Sequence, residues 1–180
     1  DDGEETTIKV VFTGKESIFE VAQLVDAVIR ENIGEETQNE TDLLAAKFMS
    51  LPGPFVKAAV RTVKWLDRHN RMPAGIIKAS PFHTSLFFTY LKSIKLDYIY
   101  HHLYDFGTTG VFVALGKVKK MPVAENGLVV EKSVCDIGYV LDERLCDGLY
   151  FANTLKLAKK YLEDLTLLET PLEAIVEDVE

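Results

Sequence analysis

Apolar and polar positions alternate between strand-like and helix-like periods along this chain. Residues 6–13 (TTIKVVFT) are β-branched and apolar, which predicts a strand. From Ile18 to Glu31 the apolar residues Ile18, Val21, Ala22, Val25, Val28 and Ile29 recur at helical spacing, and Gly34 offers a stop. Residues 35–42 are polar and acidic and predict a loop or an exposed helix start, and 43–49 predict a helix that Leu51-Pro52-Gly53-Pro54 breaks. The clearest amphipathic helix is predicted over 55–70. One stripe there is Val56, Ala59, Val60, Val63 and Leu66, and another is Lys57, Arg61, Lys64 and Arg68.

A connector is expected over 73–81, a buried strand over 85–91 and a second strand over 109–118. Asn126-Gly127 marks a hairpin turn between that strand and a long one over 128–141. Residues 148–163 predict a helix with Leu149, Ala152, Leu155, Leu157, Ala158 and Leu162 inward. The order predicts an α+β fold, with helices packed on a mixed, largely antiparallel sheet. One domain over 1–172 and an acidic tail over 173–180 follow, with a helical insertion at about 35–80.

Composition narrows the class. With 47% apolar and 27% charged residues the chain reads as soluble and globular, and no apolar run is long enough to span a bilayer. The acidic N-terminus does not read as a signal peptide, and Cys135 and Cys146 lack zinc or disulfide-framework spacing. A cytoplasmic protein with reduced thiols is the expectation. Charge is uneven. Residues 1–50 hold 4 basic and 12 acidic side chains, 51–120 hold 11 and 3, and 121–180 hold 5 and 13. An anionic ligand therefore fits the middle third best, and the acidic totals argue against nucleic acid.

Residues 139–169 carry a more specific pattern. A strand ends in Asp142-Glu143-Arg144-Leu145-Cys146-Asp147-Gly148, and a long helix closes with Tyr161-Leu162-Glu163-Asp164. This resembles the C-terminal signature of the acyltransferase cores of 2-oxo acid dehydrogenase complexes and of chloramphenicol acetyltransferase, where the frame is Asp-His-Arg-x-x-Asp-Gly. Phe88-Thr89-Tyr90-Leu91-Lys92 is similar to the family's hydroxyl-bearing strand, and Val113-Ala114-Leu115-Gly116 to its Ala-Ile-Leu-Gly strand. The resemblance covers 84–169 well and 5–32 loosely. It implies a chloramphenicol acetyltransferase-like two-layer sandwich, with further chain expected before the strand at 6–13.

The resemblance also implies chemistry. In the family a histidine takes the proton of a thiol, of coenzyme A or dihydrolipoamide, and the thiolate attacks a thioester. A hydroxyl side chain donates to the oxyanion, and the motif aspartate orders the site. Here the histidine position is Glu143, the hydroxyl is Thr89 and the aspartate is Asp147. A carboxylate near 4.3 is a weaker base for a thiol near 8.5 than an imidazole near 6.5. Two readings follow: a CoA-dependent acyltransferase using Glu143, or an inactive relative kept as a trimeric binding or assembly module. The resemblance implies a homotrimer, with the Glu143 turn of one subunit facing Thr89 of the next, acyl-CoA as substrate and a lipoyl-type or other acyl acceptor.

Other residues compete for roles. His101-His102, with Asp105 beyond them, offers a substitute base, His102 first, against the plain reading of a turn with one packed and one solvated ring. Cys146 reads as core rather than nucleophile, since its carboxylate neighbour disfavours the thiolate. Lys117, Lys119 and Lys120 are candidate ligands for CoA phosphates, or solvated loop lysines. No metal is expected, because the remaining His69 and His83 stand apart in sequence. The basic stripe of the 55–70 helix reads either as a solvated face or as a contact for anionic membrane or an acidic partner.

Overall fold

A computed structural model of the chain describes residues 7–32, 50 and 52–171. The chain divides into two compact units, Asp1–Pro81 with Ala152–Glu180, and Phe82–Phe151. The loop expected at 35–42, the helix at 43–49, Gly34 and the acidic tail at 173–180 lie outside the described residues.

The first unit is helical. Helix α1, Ile18–Asn32, opens on a reciprocal cap. The Ser17 backbone N–H and hydroxyl donate to Glu20 Oε2 at 2.7 and 2.8 Å, while the Glu20 N–H points back at Ser17 Oγ. Ile18, Val21, Val25, Val28 and Ile29 make its half-buried stripe, as the periodicity requires. Helix α2, Gly53–Arg68, starts at Pro52, with a second proline inside the first turn where its missing N–H costs nothing. The connector expected at 73–81 contains a short helix, α3, Ala74–Ala79.

The strand expected at 6–13 does not form, since residues 7–13 are irregular. A β-rich run becomes a strand only when a neighbour takes its backbone groups. No described strand lies beside this one. Lys9 instead ties it through its ammonium to the carbonyls of Ile77, at 2.8 Å, and Ser80, at 3.3 Å.

The second unit holds a three-stranded mixed sheet in the order β1 (Leu86–Tyr90), β2 (Val111–Glu125), β3 (Leu128–Leu141). β1 runs parallel to β2, and β2 antiparallel to β3. Asn126 and Gly127, with φ of 52° and 78°, join β2 to β3 in a two-residue loop that needs positive φ at both positions. β2 runs past the expected 118, through Pro122. Proline is tolerated there because β1 ends opposite Leu115, so this stretch borders a single strand.

Strand alternation puts Phe87, Thr89, Phe112, Ala114, Gly116, Gly138 and Val140 on one face. Its core is Leu91, Phe112 and Ala114, with Leu103 and Tyr104 of the β1–β2 connector packed on it. Gly116 and Gly138 let that connector lie directly on the sheet. A Cβ on Gly116 would stand 2.7 Å from the Tyr98 nitrogen, and one on Gly138 2.8 Å from the Ile99 oxygen. The outcome is α+β, with helices and a mixed sheet, as expected. Helix α4, Gly148–Glu163, follows the sheet with the predicted bounds, and a 3-10 turn, Leu165–Leu168, comes after it.

Candidate active site

The turn after β3 is fastened at both ends. The Asp142 N–H donates to Gly110 O at 2.9 Å, and the Leu145 side chain lies over Gly110, where a Cβ would collide with it. The Asp147 carboxylate accepts from Tyr150 N at 2.8 Å, so Asp147 caps the start of α4. Between them, Arg144 folds back on Asp142. Its Nε donates to both carboxylate oxygens, at 2.9 and 3.0 Å, its Nη2 to Oδ2 at 2.6 Å, and its backbone N–H to Oδ1 at 3.0 Å. These bonds hold the Asp142 carboxyl below the usual range and the Arg144 guanidinium above its own. The charge of Asp105 adds a smaller push on Arg144.

Glu143 is exposed, and among the described residues its carboxylate has no hydrogen bond or ion pair. Its Oε1 lies 3.4 Å from where a Cβ on Gly148 would be. The turn therefore commits Asp142 and Asp147 to structure and presents Glu143.

Thr89 is half-buried in the middle of β1, level with Ala114 and Gly138. The turn leaves the sheet beyond Leu141, level with Val111 and Leu86. Three strand residues, about 10 Å at ~3.3 Å each, separate the two levels along the sheet. One chain does not join Thr89 to Glu143.

His101 and His102 end a column of parallel rings. Phe87 stacks on Phe112 at 5.2 Å, Phe112 on His101 at 4.5 Å, and His101 on His102 at 4.9 Å. His101 Nδ1 lies 2.7 Å from the His102 carbonyl. A carbonyl only accepts, so this nitrogen carries the proton and His101 is committed to structure. His102 is the exposed ring, and its nitrogens have no hydrogen bond among the described residues.

The candidate phosphate ligands differ from one another. Lys119 Nζ sits 2.6 Å from Asp136 and 3.4 Å from Asp97, and the Asp136 bond raises its pKa. Lys120 pairs with Glu131 at 3.1 Å, both exposed. Lys117 alone of the three has no side-chain partner among the described residues. Cys135 Sγ donates to Gly116 O at 3.1 Å, and Cys146 is half-buried in the turn.

The last strand of the mixed sheet thus delivers an acidic turn, in the frame Asp-Glu-Arg-x-x-Asp-Gly, onto a long helix. Residues 109–170 match the family of 2-oxoacid dehydrogenases acyltransferase (catalytic domain). The resemblance to that family is established over this stretch, which takes in β2, β3, the Glu143 turn and α4. Thr89 and His102 lie before it. No curated protein matches the chain. Among solved structures it is similar to a probable dihydrolipoamide acetyltransferase from Listeria monocytogenes 4b F2365, with 11% identity and a TM-score of 0.41. That match covers 68% of this chain and 48% of the other, so the chain spans about half the length of the structure it matches.

Proposed function

We propose that this chain is part of a cytoplasmic CoA-dependent acyltransferase that moves an acyl group between coenzyme A and a thiol acceptor of the dihydrolipoyl kind. The observation that carries the reading is the unpartnered Glu143 carboxylate, held in a turn whose other acidic side chains are engaged. In this reading Glu143 takes the proton of the acceptor thiol. The thiolate attacks the thioester carbonyl, the tetrahedral oxyanion collapses, and the C–S bond to CoA breaks. The proton then goes to the departing CoA thiolate.

Thr89 donates to the oxyanion, a contact worth about 3 kcal/mol in such sites. Thr89 and Glu143 stand at different levels of one sheet, which supports a hydroxyl supplied by a neighbouring subunit of a homotrimer. His102 is the alternative proton acceptor, and Lys117, the one of the three candidate lysines without a carboxylate partner among the described residues, would meet a CoA phosphate.

A second reading has its own support. Lys119 and Lys120 are neutralised by carboxylates, and the histidine of the family frame is replaced. An inactive trimeric binding or assembly module fits both facts. Release of CoA from acetyl-CoA in the presence of dihydrolipoamide separates the two. Turnover by the purified oligomer supports the transferase, and CoA binding without turnover supports the module. A monomer that turns over as fast as the oligomer would contradict the shared site.

A further inference from the structure

Helix α2 presents a face that the acyl-transfer chemistry does not use. Lys57, Arg61, Lys64 and Arg68 recur four, three and four residues apart, which aligns them in one stripe. All four are exposed, and none is in an ion pair among the described residues. The one carboxylate of the helix, Asp67, is half-buried away from that stripe. The half-buried positions Val56, Ala59, Val63 and Leu66 account for the side turned toward protein.

Apolar groups border the cations. Trp65 is 48% exposed, Val60 46% and Phe55 64%. A shallow groove along the helix is lined by the four cations together with Val60 and Trp65. Two exposed side chains flank the indole. His69 stacks on it at 4.4 Å while its Nδ1 donates to Trp65 O at 2.7 Å, and the Arg71 guanidinium stands 5.9 Å from the ring centre.

A solvated polar face has no need of an exposed indole among uncompensated cations. An anionic bilayer surface matches both parts. Its headgroups neutralise the stripe, and its interfacial layer takes an amphipathic ring with one apolar and one polar edge. We infer that α2 is a docking face for an anionic membrane surface, contacted by Lys57, Arg61, Lys64 and Arg68 with Trp65 entering the headgroup layer. A soluble acidic polypeptide would satisfy the charges but would leave Trp65 and Phe55 in water.

Trp65 is the only tryptophan of the chain, so its fluorescence reports on this face directly. The full chain is titrated with phosphatidylcholine vesicles, with and without phosphatidylserine, and with soluble polyglutamate. The expected result is a shift of emission to shorter wavelength and co-sedimentation with the anionic vesicles only, both reversed by salt. Replacing Lys57, Arg61, Lys64 and Arg68 by glutamine should weaken vesicle binding by more than about tenfold, with far-UV circular dichroism unchanged. If that variant fails to fold, the pairs Lys57→Gln/Arg61→Gln and Lys64→Gln/Arg68→Gln should each give a partial loss. No emission shift on anionic vesicles, equal binding to neutral ones, or a response to polyglutamate alone overturns the membrane assignment.

Discussion

Arg144 reaches back over a single residue to grip both carboxylate oxygens of Asp142, with contacts of 2.6 to 3.0 Å, and so leaves Glu143 exposed at the apex. The pair fixes the turn rather than the proton chemistry. The Asp142 side chain is only 12% exposed whereas that of Arg144 is 79% exposed, so solvent screens the interaction. Asp142→Asn should cost about 1 kcal/mol of stability, read as a lowered urea midpoint. It should also loosen the turn enough to reduce any activity that depends on Glu143. An unchanged midpoint would mean that the pair is not formed.

Asp147 has a role that can be separated from catalysis. As the cap of α4 it should tolerate Asn and lose about 1 kcal/mol with Ala. Thermal unfolding of the two variants checks this. Equal destabilisation by Asn and Ala would show that the charge, and not the cap, is what the position supplies.

The connector that covers the sheet depends on two missing side chains. Gly116→Ala places a Cβ 2.7 Å from the Tyr98 nitrogen, and Gly138→Ala places one 2.8 Å from the Ile99 oxygen. Neither neighbour is the free end of a flexible side chain, so each variant should lose about 1–3 kcal/mol. Gly127→Ala should be strained for a different reason, its φ of 78°, with open space around it. Denaturant melts of the three variants should rank the two sheet positions as affected through packing. Full tolerance at Gly116 and Gly138 would remove the connector from the sheet.

The segment before α1 has a pH dependence of definite sign. Glu16 accepts from the backbone and hydroxyl of Thr13, both at 2.8 Å, and from Gly14 N at 2.9 Å. These bonds, the Thr13 backbone first, bring its pKa from 4.5 to about 2. A folded value below the unfolded one means that the turn is favoured fully above pH 4.5 and that this contribution is lost as pH falls toward 2. Carboxyl NMR titration should give a midpoint near the lower value. A midpoint near 4.5 would mean that the Thr13 and Gly14 donors are not engaged.

The sequence was most legible where local chemistry decides the outcome. Asn126-Gly127 demanded its hairpin, and the periodicity of 148–163 gave α4 its bounds. Ser17-Ile18-Phe19-Glu20 contains a capping box that marks the start of α1, a motif readable from spacing. The strand expected at 6–13 failed because β-propensity does not supply a partner strand. The helix Ala74–Ala79 went unread because six residues are too few to show a period. The parallel pairing of β1 with β2 and the seat of the connector on Gly116 and Gly138 are products of chain crossing, which no local pattern encodes. The Glu143 turn was legible as a motif. That Thr89 stands three residues away along the sheet became visible only in the strand register.

The measurement that bears most directly on the central claim is acyl transfer from acetyl-CoA to dihydrolipoamide by the parent protein, Glu143→Ala and Glu143→His, at equal protein concentration and matched oligomeric state. If Glu143 is the proton acceptor, the parent turns over, Glu143→Ala loses at least about a hundredfold, and Glu143→His retains or exceeds the parental rate. A parent that is inactive, or a Glu143→Ala variant as fast as the parent, would contradict it.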